Sequence, residues 1–156
     1  KPITGACWVD GKVYLRLAGA KSAVEATAEQ WGGQVLADGE QFWRQVQDMQ
    51  HPFFDDPELP LWRFSVDSTA KTPELDGPWM IDWAGSQRWY RGQASLDQLE
   101  PLARAAGGQV SLFRGGDRTG EVMHGQPQAL KTIQQRVKKS FDPDAIFNPG
   151  RLYSWL

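Results

Sequence analysis

Four charged residues and three tryptophans could together do chemistry if they share a surface. Arg63, Asp82, Arg88 and Arg114 fall in segments where apolar and polar residues alternate, among Trp62, Trp83 and Trp89. An open sheet face carrying arginines among aromatic rings can hold a planar ring or a carboxylate, because guanidinium both stacks and forms bidentate hydrogen bonds. The same pattern also describes a solvated sheet with snorkelling arginines and core tryptophans. More familiar machinery is thin. His51 and His124 lie far apart and read as surface or loop histidines, without the spacing of paired metal ligands. The glycine pairs at 32–33, 107–108 and 115–116 lack the strand-glycine-helix order that directs backbone N–H groups at phosphates, and read as element stops.

Composition narrows the function classes. The 156 residues suit one domain, with a net charge of −2 and dispersed lysines and arginines, which argues against nucleic acid or an anionic membrane as the main partner. The single cysteine, Cys7, excludes an internal disulfide and permits a reducing compartment. No apolar run reaches the length of a membrane span, and no signal-peptide pattern opens the chain, so a cytoplasmic protein is expected. The eight tryptophans point to cores, interfaces or ligand clefts. The start at Lys1 without methionine fits a fragment or a processed chain.

The elements that must position these residues follow from periodicity. Strands are expected at 12–18, 34–36, 61–66, 79–83, 88–91 and 110–113, with Trp62, Phe64 and Val66 on one face and Arg63 and Ser65 on the other. The gap at Gly85-Ser86 predicts a hairpin. Helices are expected after Ser22, with Glu25 in a capping box; after Asp38, with Gln41; after Ser95, with Gln98; and after Pro127. Pro101 predicts a late start or a kink in the third. Gly32-Gly33-Gln34-Val35 recurs as Gly107-Gly108-Gln109-Val110, each after a helix and before an expected strand, so the chain carries an internal pseudo-repeat. Together these predict an α+β fold, a ferredoxin-like sandwich with an antiparallel sheet and helices on one face. Residues 1–140 form the body. Residues 141–156 form a C-terminal clamp, in which Pro143, Pro149 and Gly150 set turns while Ile146, Phe147, Leu152 and Tyr153 supply surface to bury.

Four segments carry a resemblance: Leu61-Trp-Arg-Phe-Ser-Val-Asp-Ser-Thr-Ala70, Ile81-Asp-Trp-Ala-Gly-Ser-Gln-Arg-Trp89, Gly107-Gly-Gln-Val-Ser-Leu-Phe-Arg114 and Phe141-Asp-Pro-Asp-Ala-Ile-Phe-Asn-Pro-Gly-Arg-Leu-Tyr153. Together they resemble the C-terminal half of the FAD-binding E subunit of bacterial glycolate oxidase. The terminal Asn-Pro-Gly-Arg is shared with the wider vanillyl-alcohol-oxidase-like flavoproteins. The resemblance implies a cap domain that covers the flavin, FAD held mainly by a preceding domain absent here, and a fragment inactive alone. It also implies oxidation of a small 2-hydroxy acid to a 2-oxo acid within a complex of other glycolate oxidase subunits, with peripheral attachment at the inner membrane through that complex as an alternative to a free cytoplasmic location. Asn148 and Arg151 are then the residues expected to return to the flavin domain. Arg63, Asp82, Trp83 and Arg88 are the candidates for the flavin-facing sheet surface. No catalytic residue is assigned. Hydroxy-acid-oxidising relatives carry a His-x-Gly-Asp stretch in the cap, whereas His124-Gly125 is followed here by Gln126. The expectation is therefore that a partner subunit holds the base. The alternative from a different class is a stand-alone ferredoxin-like ligand-binding or protein-interaction module.

Overall fold

Asp10 and Gly11, at φ 52° and 74°, form the two-residue turn that folds the first hairpin in the computed structural model, which describes residues 1–156. A turn with both central residues left-handed matches the twist of flanking strands. It joins β1 (Ile3–Val9) to β2 (Lys12–Leu17). β1 was not among the expected strands, because Gly5 and Ala6 dilute its alternation, although Cys7 and Val9 point into the core. β3 (Leu61–Ser65), β4 (Trp79–Asp82), β5 (Gln87–Arg91) and β6 (Gln109–Arg114) complete a six-stranded sheet of order β2-β1-β4-β5-β3-β6. All its pairings are antiparallel.

The α+β sandwich expected from the sequence is present. β3 reaches β4 across β5, and β5 reaches β6 across β3 through helix α3 (Leu96–Ala105), so each crossover skips one strand in the split manner of ferredoxin-like folds. The first crossover, residues 66–78, has no helix. The β4–β5 hairpin forms where Gly85-Ser86 predicts it.

Helices occupy both faces, which corrects the expectation of one. Trp62, Phe64, Tyr90, Val110 and Leu112 point to the side covered by Leu99 and Ala103 of α3. Leu61, Met80, Trp89, Cys7 and Val9 point to the opposite side, which meets Phe42 and Val46 of α2 (Gly39–Gln47) and Phe53 and Phe54 of a 3-10 turn at Pro52–Phe54. The physical reason lies in β3. Leu61 and Trp62 are adjacent and both buried, so a single helical layer cannot cover both.

The capping box at Ser95 and Gln98 is formed, and α3 starts at Leu96 and runs through Pro101, so Pro101 does not delay it. At its end a Cβ on Gly108 would lie 1.9 Å from the Ser65 carbonyl oxygen, so only glycine lets the chain enter β6 there. α1 (Lys21–Trp31) begins after Ala20, and α2 begins after Asp38; neither has a side-chain cap. Gln34-Val35-Leu36 forms no strand. Val35 is 96 % exposed, whereas its counterpart Val110 is buried opposite Phe64. The sequence repeat is therefore not repeated in structure, because the first copy has no strand edge to join.

α4 (Gln128–Phe141) follows Pro127 and has no buried residue. Beyond it the Asp142 carboxylate accepts from the backbone N–H groups of Ile146 and Phe147 at 2.9 and 3.0 Å and from Lys138. These bonds to the charged form, led by that from Lys138, hold its pKa below the usual carboxylate range. Tyr153 is buried. Its hydroxyl donates to the His124 carbonyl at 3.1 Å and accepts from the Gln126 amide at 2.8 Å, so the last residues fold back onto the body.

Candidate functional site

The sheet face opposite α3 is incompletely filled. A cleft of about 720 Å³ opens there between the β1–β2 hairpin, α2 and the central strands. Gly5 makes room for its wall: a Cβ there would sit 3.3 Å from the Trp43 ring. The floor carries Arg63, Gln87 and Trp89, with Asp82 and Trp83 beside them. In the register Arg63 pairs with Trp89, and Gln87 pairs with Asp82, which places these side chains on one face.

Arg63 Nε donates to Gln87 Oε1 at 2.8 Å. Its guanidinium carbon lies 5.7 and 5.9 Å from the ring centres of Trp83 and Trp89, within cation–π range. Asp82 Oδ1 accepts from Trp83 N–H at 2.8 Å. Burial pushes the Asp82 carboxyl above its ordinary pKa, opposed by that backbone bond. Trp83 and Ala84 take φ 50° and 53°, and Trp83 remains 63 % exposed. Left-handed backbone at two consecutive non-glycine residues is strained, by about 1–3 kcal/mol each, so the surrounding structure must enforce it. Gly85 helps fix the turn, since a Cβ there would meet the Ser68 carbonyl oxygen at 2.3 Å. The result is an indole displayed beside a guanidinium. Such a surface suits a planar ring or a small anion.

Of the residues named from the sequence, Arg63, Asp82 and Trp83 come together in this cleft. Arg88 does not. It lies on the opposite face, buried, donating from Nε to Gly85 O at 3.0 Å, from Nη1 to Thr72 Oγ1 at 3.1 Å and from Nη2 to Ala70 O at 2.6 Å. Its work is to hold the helix-less crossover, and burial lowers its pKa. Trp62 joins the α3 side too. Asn148 and Arg151 are exposed and line a separate hollow of about 450 Å³ with Lys138, sharing no residue with the cleft.

Sequence reasoning passed over two residues. Gln87 is buried and holds Arg63; Arg91 is buried and donates to Phe53 O at 2.6 Å, Leu59 O at 2.9 Å, and the Phe54 and Asp56 carbonyls. Both stand in phase with Trp89 along β5, the signal that would have found them. His124, read as a surface or loop histidine, is in a loop but buried. Val110 N–H points at its Nδ1 at 3.4 Å and Arg104 Nε lies 3.3 Å from Nε2; a neutral ring accepts at only one of the two. Burial lowers its pKa, with Glu100 acting in the opposite direction. His51 Nδ1 accepts from Phe53 N–H and caps the 3-10 turn. The Cys7 thiol is pushed up to about 12 by burial, with Asp82 adding to the rise, and is not a nucleophile at neutral pH. No group of three or more His, Cys, Asp or Glu side chains could hold a metal ion, and no helix is long and apolar enough to cross a membrane.

The resemblance read from the four segments is borne out. The chain is 39 % identical over 155 residues to glycolate oxidase subunit GlcE of Escherichia coli (strain K12), an alignment that covers 99 % of this chain. It spans 43 % of that relative's length. No family model matches the chain, and no solved structure matches it.

Proposed function

We propose that this chain is the cap of an FAD-linked oxidoreductase subunit in a glycolate-oxidase-type complex, which oxidises a small 2-hydroxy acid to a 2-oxo acid. The observation that carries the reading is the similarity to a glycolate oxidase subunit along 99 % of the chain. The cleft supplies a physical basis. Its tryptophans offer faces to a ring, while Arg63 and the Gln87 amide offer donors to the polar edge of one. These residue types fit an isoalloxazine, so Arg63, Trp83, Gln87 and Asp82 are the groups that would meet the flavin side. When bound, the flavin supplies a hydride acceptor. The residues of this chain orient the reactants and exclude water.

In this reading residues 1–140 form the cap, and residues 141–156 dock on the flavin domain, which holds most of the FAD. Exposed Asn148 and Arg151 on the Asp142-braced tail, with exposed Phe141, Ile146 and Phe147 around them, support that docking. Arg88 is withdrawn from the flavin-facing set, since its donors are all directed at this chain's own backbone and Thr72. His124 is bound into the body rather than presented to the cleft, which supports placing the hydroxy-acid base in a partner subunit. The isolated chain is expected to be inactive.

The test is an FAD titration of this chain alone and of the chain joined to the flavin domain, followed by absorbance and flavin fluorescence. Stoichiometric FAD in the joined protein, little in the chain alone, and weaker loading on Arg151→Ala are the expected results. A joined protein that folds but takes up no flavin would overturn the reading.

A further inference from the structure

The two edges of the sheet are finished differently. Beyond β6 the chain returns along the edge, where Ser111 pairs with Met123 and the Leu112 N–H donates to the Val122 carbonyl at 2.7 Å. That edge is covered. β2, at the opposite end of the strand order, pairs only with β1, and no other segment hydrogen-bonds to its backbone. An open edge presents a row of backbone donors and acceptors to any incoming strand, and natural edges are blunted by proline, a bulge on the edge strand or an inward charge. β2 (Lys-Val-Tyr-Leu-Arg-Leu) has no proline, and the one irregularity of its ladder lies in β1, between Ile3 and Gly5.

The side chains of β2 define the strand that fits it. Tyr14 stacks on Phe42 at 4.1 Å and the Arg16 guanidinium lies 5.5 Å from the Trp43 ring, so Lys12, Tyr14 and Arg16 belong to the α2 side. Val13 and Leu15 point to the other side, where α3 packs over the β3 and β6 end and the first crossover adds no helix; they remain 66 % and 43 % exposed. Trp8 and Ile81, level with Val13 in the register, continue this apolar strip inward. Neither Lys12 nor Arg16 forms an ion pair, although Arg16 donates to Thr4 on β1. The strand carries no acid.

We propose that β2 is a docking edge for an extended segment of a partner protein, which adds an antiparallel strand with acidic residues opposite Lys12 and Arg16 and apolar residues opposite Val13 and Leu15. Main-chain bonds supply the affinity of such a contact, and the alternating side chains its specificity. Charge selects this occupant over a second copy of the chain. Pairing two β2 strands about Tyr14 sets Lys12 against Arg16 twice and brings no anion to the seam.

The probe is a fluorescein-labelled peptide, Ser-Glu-Val-Thr-Val-Glu-Ser, titrated with this chain by fluorescence anisotropy beside a counterpart with lysine in place of both glutamates. Circular dichroism confirms that each variant folds. The acidic peptide should bind saturably and at least about fivefold more tightly than the basic one, the size expected for two cross-strand ion pairs. Lys12→Glu should narrow or reverse that preference. Val13→Thr combined with Leu15→Thr should weaken both peptides about fivefold, since it removes apolar contact while keeping β propensity. Proline in place of both valines of the peptide should abolish binding, and amide hydrogen exchange should slow in β2 when the parent peptide is bound. No saturable binding below about 1 mM, equal affinity for the two peptides, or a preference untouched by Lys12→Glu overturns the docking edge. So does a chain that sediments as a dimer and becomes monomeric in the double threonine variant, since a second copy then holds the edge. A protein of the relative's full length whose β2 amides are already protected, and which ignores the peptide, overturns it as well, because the rest of the polypeptide then covers β2.

Discussion

The two faces of one sheet are built to different ends. On the α3 side, Leu99 and Ala103 fill the space over Phe64, Val110 and Leu112, and the charged Arg88 has all its nitrogens engaged. On the other side Phe42, Val46, Phe53 and Phe54 cover only part of the surface, and the remainder is the cleft with Arg63, exposed Trp83 and the raised Asp82 carboxyl. The closed face carries stability. The open face retains a left-handed turn at Trp83 and Ala84 and a carboxyl held above its ordinary pKa, and a binding surface is where such cost is tolerated.

The sharpest way to break this contrast is Arg91→Ala. Arg91 belongs to the cleft side of the sheet but lies outside the cleft, buried under the 53–59 segment, whose carbonyls it holds. Removing it should cost about 4 kcal/mol, read from urea unfolding, because several buried acceptors lose their donor together. A loss below about 1 kcal/mol would mean the segment is held by something else. Next comes Leu99→Ala on the closed face, where a fully buried side chain leaves a cavity; about 3 kcal/mol is expected by the same measurement.

Asp82→Asn should act in the other direction. The folded-state pKa of Asp82 is raised, so the folded protein holds the proton more tightly than the unfolded chain. Stability from this group is then present below the unfolded carboxylate pKa and is lost as pH rises through the folded one. The substitution should raise the unfolding midpoint at neutral pH and leave it unchanged at a pH below the ordinary carboxylate range. A midpoint that falls at neutral pH would show that the ionised carboxylate is stabilising. The smallest effect belongs to Trp83→Ala, within about 0.5 kcal/mol of wild type, since the indole is mostly exposed and its backbone strained. A large loss there would place Trp83 among the core residues.

The strands around the site were legible because residues 62–66 alternate and the Gly85-Ser86 gap marks the β4–β5 hairpin, and the capping box of α3 was legible because Ser95 and Gln98 are local partners. β1 escaped notice: small residues interrupt its pattern, though Asp10-Gly11 marked the turn. Gln34-Val35-Leu36 looked like a strand and is none, since a strand needs an edge to pair with and local sequence does not reveal whether one is free. Arg63 and Arg88 looked alike for a related reason. Both interrupt apolar runs, but their separation of 25 positions along the chain says nothing of facing until the register Phe64↔Arg88 is known.

What the sequence by itself determined were the local matters: the α+β character, most element positions, the absence of familiar catalytic spacing, and a resemblance to a glycolate oxidase subunit. Only the tertiary structure decided which side of the sheet each arginine serves. It placed Arg88 beneath the first crossover, Arg91 beneath the 53–59 segment and Arg63 in the cleft with its outer nitrogens unpartnered. Side-chain period is a property of one strand. The partners that satisfy or abandon a donor come from loops far away in sequence, and only folding brings them within reach.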